Sequence, residues 1–315
     1  MSSFITDRTL YVYDGDTISE TVEMSAGAPQ GAILSPSLYT ICAHDVPIIN
    51  DEDEGGAQYA DDSILWATGR NAREAVAQIE RRLKVMERWC GKWNIKPAPA
   101  KCELIVFSNS KREVRLAEEC SLKLMNSDLN WKEEVKYLGV TYDKKNNWES
   151  HIKLVINKCY PKVLSICRLN RKMNYNNRKD ILHIFESLIL SCFYYSSMAY
   201  LNMNEKNWAL IENFLIKSIK MIFDLPLQMN GERAREIFYP CTFREKIEIH
   251  ALKRIAAMSN STTIMQHQIF NCRDYAFTGS RDTIFERAMK ISGINEAVNC
   301  YLCTMNCEHD CVRPF

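Results

Sequence analysis

Ala57-Gln58-Tyr59-Ala60-Asp61-Asp62-Ser63-Ile64-Leu65-Trp66-Ala67 reads as two short β runs, Ala57 to Tyr59 and Ser63 to Ala67, with an acidic pair between them. In a straight strand neighbouring side chains point to opposite faces, so adjacent carboxylates serve one site only where the backbone turns. A strand-turn-strand hairpin with an acidic tip projects carboxylate oxygens from a rigid base. The flanking apolar residues Tyr59, Ile64, Leu65 and Trp66 set this hairpin into a core. Taken alone, two adjacent aspartates are an ordinary solvated turn. Hard ions such as Mg²⁺ need oxygen ligands, however, and two-metal phosphoryl transfer needs several carboxylates to hold its ions about 4 Å apart.

On the N-terminal side, Leu10-Tyr11-Val12-Tyr13 is a short β run closed by Asp14-Gly15, a hairpin-type signal. After Gly27 to Gly31, the apolar stretch Ile33 to Val46 reads as a buried helix entered through Ser35-Pro36, and Asn50 to Gly56 as an acidic loop. On the C-terminal side the period changes. Ala72, Val76, Ile79, Leu83, Met86 and Cys90 recur at helical spacing, and Asn71 with Glu74 makes a capping-box start. That helix ends near Gly91, since Pro97 and Pro99 forbid its continuation. Glu103 to Phe107 is a strand, and Ser121 to Tyr142 gives further strands with turns at Asn126 and Asp143. Beyond His151 the pattern is mainly helical: Ile152 to Arg171, Arg178 to Tyr200, Glu205 to Phe223 and Phe243 to Met258. Ser187 to Asn204 is uncharged but holds four serines and three tyrosines, so it reads as a core helix rather than a membrane span.

The net charge of +1 averages two unlike parts. Residues 1–70 hold two basic and twelve acidic residues, a net of −10, and the remainder holds 38 basic and 27 acidic, a net of +11. An acidic patch beside a basic body suits a metal site flanked by a polyanion-binding surface, although surface variation alone also gives such asymmetry. Of thirteen cysteines, nine are scattered singly, as expected of reduced, partly buried thiols. No apolar stretch follows a basic start at the N-terminus, so the expected location is intracellular, cytoplasm or nucleus.

Gly27-Ala28-Pro29-Gln30-Gly31-Ala32-Ile33-Leu34-Ser35-Pro36, followed by an apolar helix and then Tyr59-Ala60-Asp61-Asp62, resembles the reverse transcriptases of non-LTR retrotransposons and group II introns. Pro97 to Lys101 with Cys102 is similar to that family's proline-lysine motif, and Tyr137-Leu138-Gly139-Val140 to its primer-grip hairpin. Trp148-Glu149-Ser150-His151-Ile152 resembles the approach to the helical thumb. Five motifs stand in the family's order. The resemblance implies an α+β fold: a partial palm with an antiparallel sheet and helices (1–147), a helical thumb or connection (148–265), and a C-terminal segment (266–315).

It also implies roles. Asp61 and Asp62 would ligate Mg²⁺ in a two-metal site. Pro29, Gln30, Gly31 and Tyr59 would line nucleotide and template, and glycine lets the backbone approach a base pair closely. Lys101 would protonate or neutralise the leaving pyrophosphate. Tyr137, Leu138 and Gly139 would position the primer end. Trp148, His151, Lys153 and Lys158 would track the duplex backbone, with solvated helix faces as the plain alternative. The partners implied are an RNA template, a DNA primer and dNTPs, with no membrane.

The family pattern also has an earlier palm strand with another aspartate and a fingers domain before it. Asp7, Asp14 and Asp16 do not sit in that context, and Ala32 and Cys102 stand where serine and threonine are usual. The expectation is a polymerase fragment that lacks appreciable activity alone, with a catalytically dead nucleic-acid-binding remnant as the alternative. An exposed palm edge would invite self-association. Finally, Cys300, Cys303, Cys307 and Cys311, with His309 among them, have enough soft ligands for one tetrahedral Zn²⁺.

Overall fold

A computed structural model describes residue 4 and residues 6–24, 27–48, 51, 53–172, 178–201 and 203–259. The C-terminal segment 266–315, with Cys300, Cys303, Cys307, His309 and Cys311, lies outside the described residues. The chain divides into two compact units. One comprises residues 1–103 and 111–130; the other comprises 104–110 and a stretch that starts at Trp131 and is described to Ser259.

The first unit is α+β, built from antiparallel strand pairs and helices. Arg8–Leu10 pairs with Val22–Met24, and Tyr13–Asp14 with Thr17–Ile18, so the N-terminal β run is interrupted rather than continuous. Glu54–Tyr59 pairs with Asp62–Ala67 over six residue pairs. The strand therefore reaches back through Gly55 and Gly56, which the sequence reading places in a loop. Glycine is required at 56, because a Cβ there would meet the Ile64 carbonyl oxygen at 2.8 Å. The expected buried helix at 33–46 is shorter, Ser35–Cys42, and none of its residues is buried. Ile33 is 94% exposed. Apolar content predicted a core helix, but the described residues of this unit lay no apolar layer over it.

Ala72–Lys92 forms as its period dictates. Asn71 caps it by accepting from the Glu74 amide at 3.0 Å, which satisfies one of the otherwise orphaned first-turn donors. Glu74 reaches back to the Arg70 amide at 2.9 Å. The Asp45 carboxylate ties this helix's C-terminal end to the chain after Ser35–Cys42. It accepts from Lys92 at 2.7 Å, from the Trp89 indole at 2.8 Å and from the Trp93 indole at 3.0 Å. These donors, Lys92 first, hold Asp45 down at about 2. Helix Lys111–Glu118 was not foreseen. It packs on Ala72–Lys92 through Ala117, and Glu113 accepts from the Ala72 amide at 2.8 Å.

The second unit is a β-hairpin, Glu134–Tyr137 with Val140–Asp143, followed by helices. Glu149–Lys172 and Glu205–Ile222 form its main helix pair, around a core that includes Ile152, Val163, Phe185, Phe193, Ile211 and Leu215. The 178–200 stretch, expected as one helix, is broken. Arg178–Phe185 runs into a π-helical turn, Glu186–Leu190, then Ser191–Tyr195 and Ser197–Tyr200. Its apolar side is a core face as expected, with Ile189, Leu190, Phe193 and Tyr200 fully buried. Among the described residues no helix is long and apolar enough to cross a membrane. The eight described cysteines are all free thiols; Cys42 is exposed rather than partly buried.

Candidate functional site

In the first unit Ala60 and Asp61 form a two-residue turn, and Tyr59 pairs with Asp62 at its base. Asp61 and Asp62 are both exposed at the tip, as a hairpin with an acidic end requires. Ala60 adopts a left-handed φ of 52°. For a residue with a Cβ that conformation costs about 1–2 kcal/mol, so something else must hold the turn. The Tyr39 hydroxyl donates to the Ala60 carbonyl, and the Gln58 amide donates to the same oxygen at 3.0 Å. Gln58 also donates to the Tyr39 oxygen at 3.0 Å. Tyr39 comes from the Ser35–Cys42 helix, so that helix directly buttresses the acidic turn.

The same helix is fixed at its start by the loop before it. The Ser35 hydroxyl donates to the Pro29 carbonyl, and Arg8 donates to the Gly27 carbonyl. Gly27 and Gly31 have φ of 83° and 79°, so glycine is needed here for its backbone freedom. A Cβ on Gly31 would meet nothing within 4 Å, which leaves the loop's outer side open. Pro29, Gln30 and Gly31 are thus connected to Asp61 and Asp62 through Ser35, Tyr39 and Ala60. Tyr39 and Gln58 were missed from sequence; a tyrosine four residues past Ser35 carries no signal until the hairpin's position is known. Substituting Tyr39→Phe is expected to raise amide exchange at Asp62 about 3–10-fold, the loss of one hydrogen bond. Unchanged exchange, read by NMR, would show that Gln58 alone suffices.

Lys101 ends a short 3₁₀ turn, Pro99–Lys101, and is exposed. Among the described residues no hydrogen bond or ion pair joins it to Asp61 or Asp62. Cys102 beside it is half-buried, and burial pushes its thiol up. The metal question turns on ligand count. Among the described residues, no three His, Cys, Asp or Glu side chains gather as they would round an ion. Asp61 and Asp62 are thus two exposed carboxylates on one turn, and two carboxylates alone do not hold two ions.

In the second unit, Leu138 and Gly139 make a two-residue turn with φ of 45° and 81°. Both central residues being left-handed defines the type I′ turn, for which Asn-Gly is the favoured pair and leucine a poor first residue. The Tyr195 hydroxyl donates to the Leu138 carbonyl at 2.6 Å. Below the turn, the Thr141 amide donates to His151 Nδ1 at 3.3 Å, so Nε2 carries the proton and donates to Ser196 Oγ at 2.9 Å. Burial holds the His151 pKa below its ordinary value and keeps it neutral. Burial also pushes the Tyr142 phenol up, with Tyr137 and Tyr195 adding to it.

The basic and aromatic residues expected along the duplex divide sharply. Trp148 is 6% exposed and packs edge-on to Tyr142 at 5.5 Å. His151 is 3% exposed and holds the hairpin instead. Both side chains are turned into the core, His151 by its phase on helix Glu149–Lys172 and Trp148 by the left-handed loop that precedes that helix. Lys153 and Lys158 are exposed, and Lys153 pairs with Glu149 at 2.7 Å.

The family description "Reverse transcriptase (RNA-dependent DNA polymerase)" matches residues 1–142. That stretch holds the acidic turn, the Pro29–Gly31 loop, Lys101 and the hairpin turn, so the part of the chain similar to reverse transcriptases is the part that carries these motifs. More narrowly, the chain is similar to RNA-directed DNA polymerases of mobile elements of the non-LTR type. The RNA-directed DNA polymerase from mobile element jockey of Drosophila melanogaster is 26% identical over 243 residues, covering 75% of this chain and 26% of that protein. The probable RNA-directed DNA polymerase from transposon BS of the same fly is 24% identical over 280 residues, covering 87% of this chain and 30% of its own. A third, from transposon X-element, is 27% identical over 157 residues, covering 48% of this chain and 16% of its own. The chain thus spans under a third of the length of these relatives. No solved structure matches it.

Proposed function

We propose that this chain supplies the acidic turn, the template and nucleotide loop and the primer-grip hairpin of an RNA-directed DNA polymerase, a fragment of the machinery that adds dNTPs to a primer. The observation that carries this reading is the Tyr39–Ala60 clamp. It joins the Pro29–Gly31 loop to Asp61 and Asp62 within one unit, as the family's order requires. In this reading Asp61 and Asp62 contribute carboxylates to a divalent ion, which when bound supplies charge neutralisation at the transferred phosphate. Pro29, Gln30, Gly31 and Tyr59 line the nucleotide and template, and 68% exposure leaves the Tyr59 ring free to stack. Lys101 neutralises the pyrophosphate. Tyr137, Leu138 and Gly139 carry the primer end, and Lys153 and Lys158 meet the phosphate backbone of an RNA template and DNA primer.

Manganese tests the carboxylate role. Backbone NMR signals of Asp61 and Asp62 are expected to broaden selectively at about 1 mM Mn²⁺, a concentration suited to a weak, partly built oxygen site. Asp61→Asn should abolish the effect. Broadening that is absent or equal at other acidic loops, such as Asp51 and Asp53, removes the metal reading.

A further inference from the structure

Among the described residues, three two-residue turns place a residue with a Cβ in the left-handed region at their first position: Ala60, Met125 and Leu138. Each is gripped from outside the hairpin. Tyr39 donates to the Ala60 carbonyl, the Met125 amide donates to Glu87, and Tyr195 donates to the Leu138 carbonyl. External grip is how this fold tolerates turns whose own sequences do not favour them.

The Tyr195 grip differs from ordinary packing. The residue is 53% exposed, so burial does not account for its placement. Its ring lies beside Gly139, with Cε1 3.7 Å from where a Cβ would stand, and its hydroxyl reaches the adjacent carbonyl. Two departures from regular helix put it there. The π turn at Glu186–Leu190 shifts the register of the residues that follow, and Ser196, at φ −101° and ψ 14°, breaks the helix directly after Tyr195. Arg254 donates to the Tyr195 carbonyl at 3.3 Å, and His151 links Ser196 to the Thr141 amide. The 195–196 step thus meets the hairpin at its tip and again along its second strand.

We propose that Tyr195 is a positioning residue: it locks the Leu138–Gly139 turn in its left-handed form and so fixes where a primer's 3′ end rests. This assignment rests on the primer-grip reading of residues 137–139.

The test compares affinity of the full chain for two labelled duplexes of equal length, one with a recessed 3′ end and one blunt, by fluorescence anisotropy. The wild type is expected to prefer the recessed end. Tyr195→Phe, which removes one exposed hydroxyl and should fold normally, is expected to shrink that preference about 3–10-fold, with blunt-duplex affinity unchanged. Adding Leu138→Asn should restore it, because Asn-Gly adopts the type I′ turn unaided. A preference unaltered by Tyr195→Phe overturns the positioning role while leaving the primer grip in place. Equal weakening on both duplexes, or no rescue by Leu138→Asn, also overturns it, since general structural damage behaves so. A wild type with no preference removes the primer-grip reading itself, and the positioning role with it.

Discussion

Incubated with a homopolymer template, an annealed primer, dNTPs and Mg²⁺, the purified 315-residue chain is expected to leave the primer essentially unextended. Phosphoryl transfer offers the protein little covalent chemistry; its rate comes from positioning and from charge stabilisation by ions held in fixed geometry. In the proposed reading the acidic turn is well made for its part in this. Its base is six residue pairs, its strained first residue is gripped by Tyr39 and Gln58, and both aspartates are exposed. Yet among the described residues no third ligand joins them. Removing a single preorganised electrostatic contact in an active site costs on the order of 10²–10³ in rate, and an incomplete two-metal site loses at least that. Clear extension, absent from an Asp61→Asn control, would show that the chain completes its own metal site and would refute the expectation. The same assay with Mn²⁺ in place of Mg²⁺ guards against a defect of affinity alone.

The second large effect is on stability and lies at Asp143. This carboxylate, only 9% exposed, ends the hairpin and gathers the next turn around itself. It accepts from the amides of Lys145 at 3.0 Å, Asn147 at 3.1 Å and Trp148 at 2.9 Å. Asn146 and Trp148 are left-handed there, with φ of 49° and 67°, so the loop relies on this acceptor to keep its shape. Asp143→Ala leaves the buried Trp148 amide without its partner and releases the approach to helix Glu149–Lys172. Hydrogen bonds to a charged acceptor contribute about 1.5–3 kcal/mol each and are not additive, so a loss of about 3–5 kcal/mol is expected. Urea unfolding followed by tryptophan fluorescence measures it. Asp143→Asn, which keeps one acceptor oxygen, should lose about half as much. A loss under about 1 kcal/mol for the alanine variant would mean that water replaces the carboxylate at no cost.

How much was legible beforehand depends on the range of the interaction. Helix Ala72–Lys92, its Asn71 cap and its C-terminal limit follow from neighbours in sequence, and so does the turn at Asn126. The acidic turn was visible because apolar residues flank a polar pair on both sides. Lys111–Glu118 escaped because one buried residue, Ala117, sets its packing. The 178–200 stretch reads as one helix because its π turn changes the backbone bonding without interrupting the run of apolar residues. The resemblance made Trp148 and His151 duplex contacts; the loop around Asp143 buries the first and helical phase the second.

The Asp61–Asp62 pair, its hairpin and the ordered motifs around it were determined by sequence alone, and with them the likeness to reverse transcriptases. These are short-range facts: apolar strand runs, a turn and spacing along the chain. Which side chains make the turns rigid was decided only in three dimensions. Tyr39 grips Ala60 from 21 residues away and Tyr195 grips Leu138 from 57. A single hydroxyl leaves no pattern in a sequence, because its value depends entirely on the carbonyl that folding brings to it.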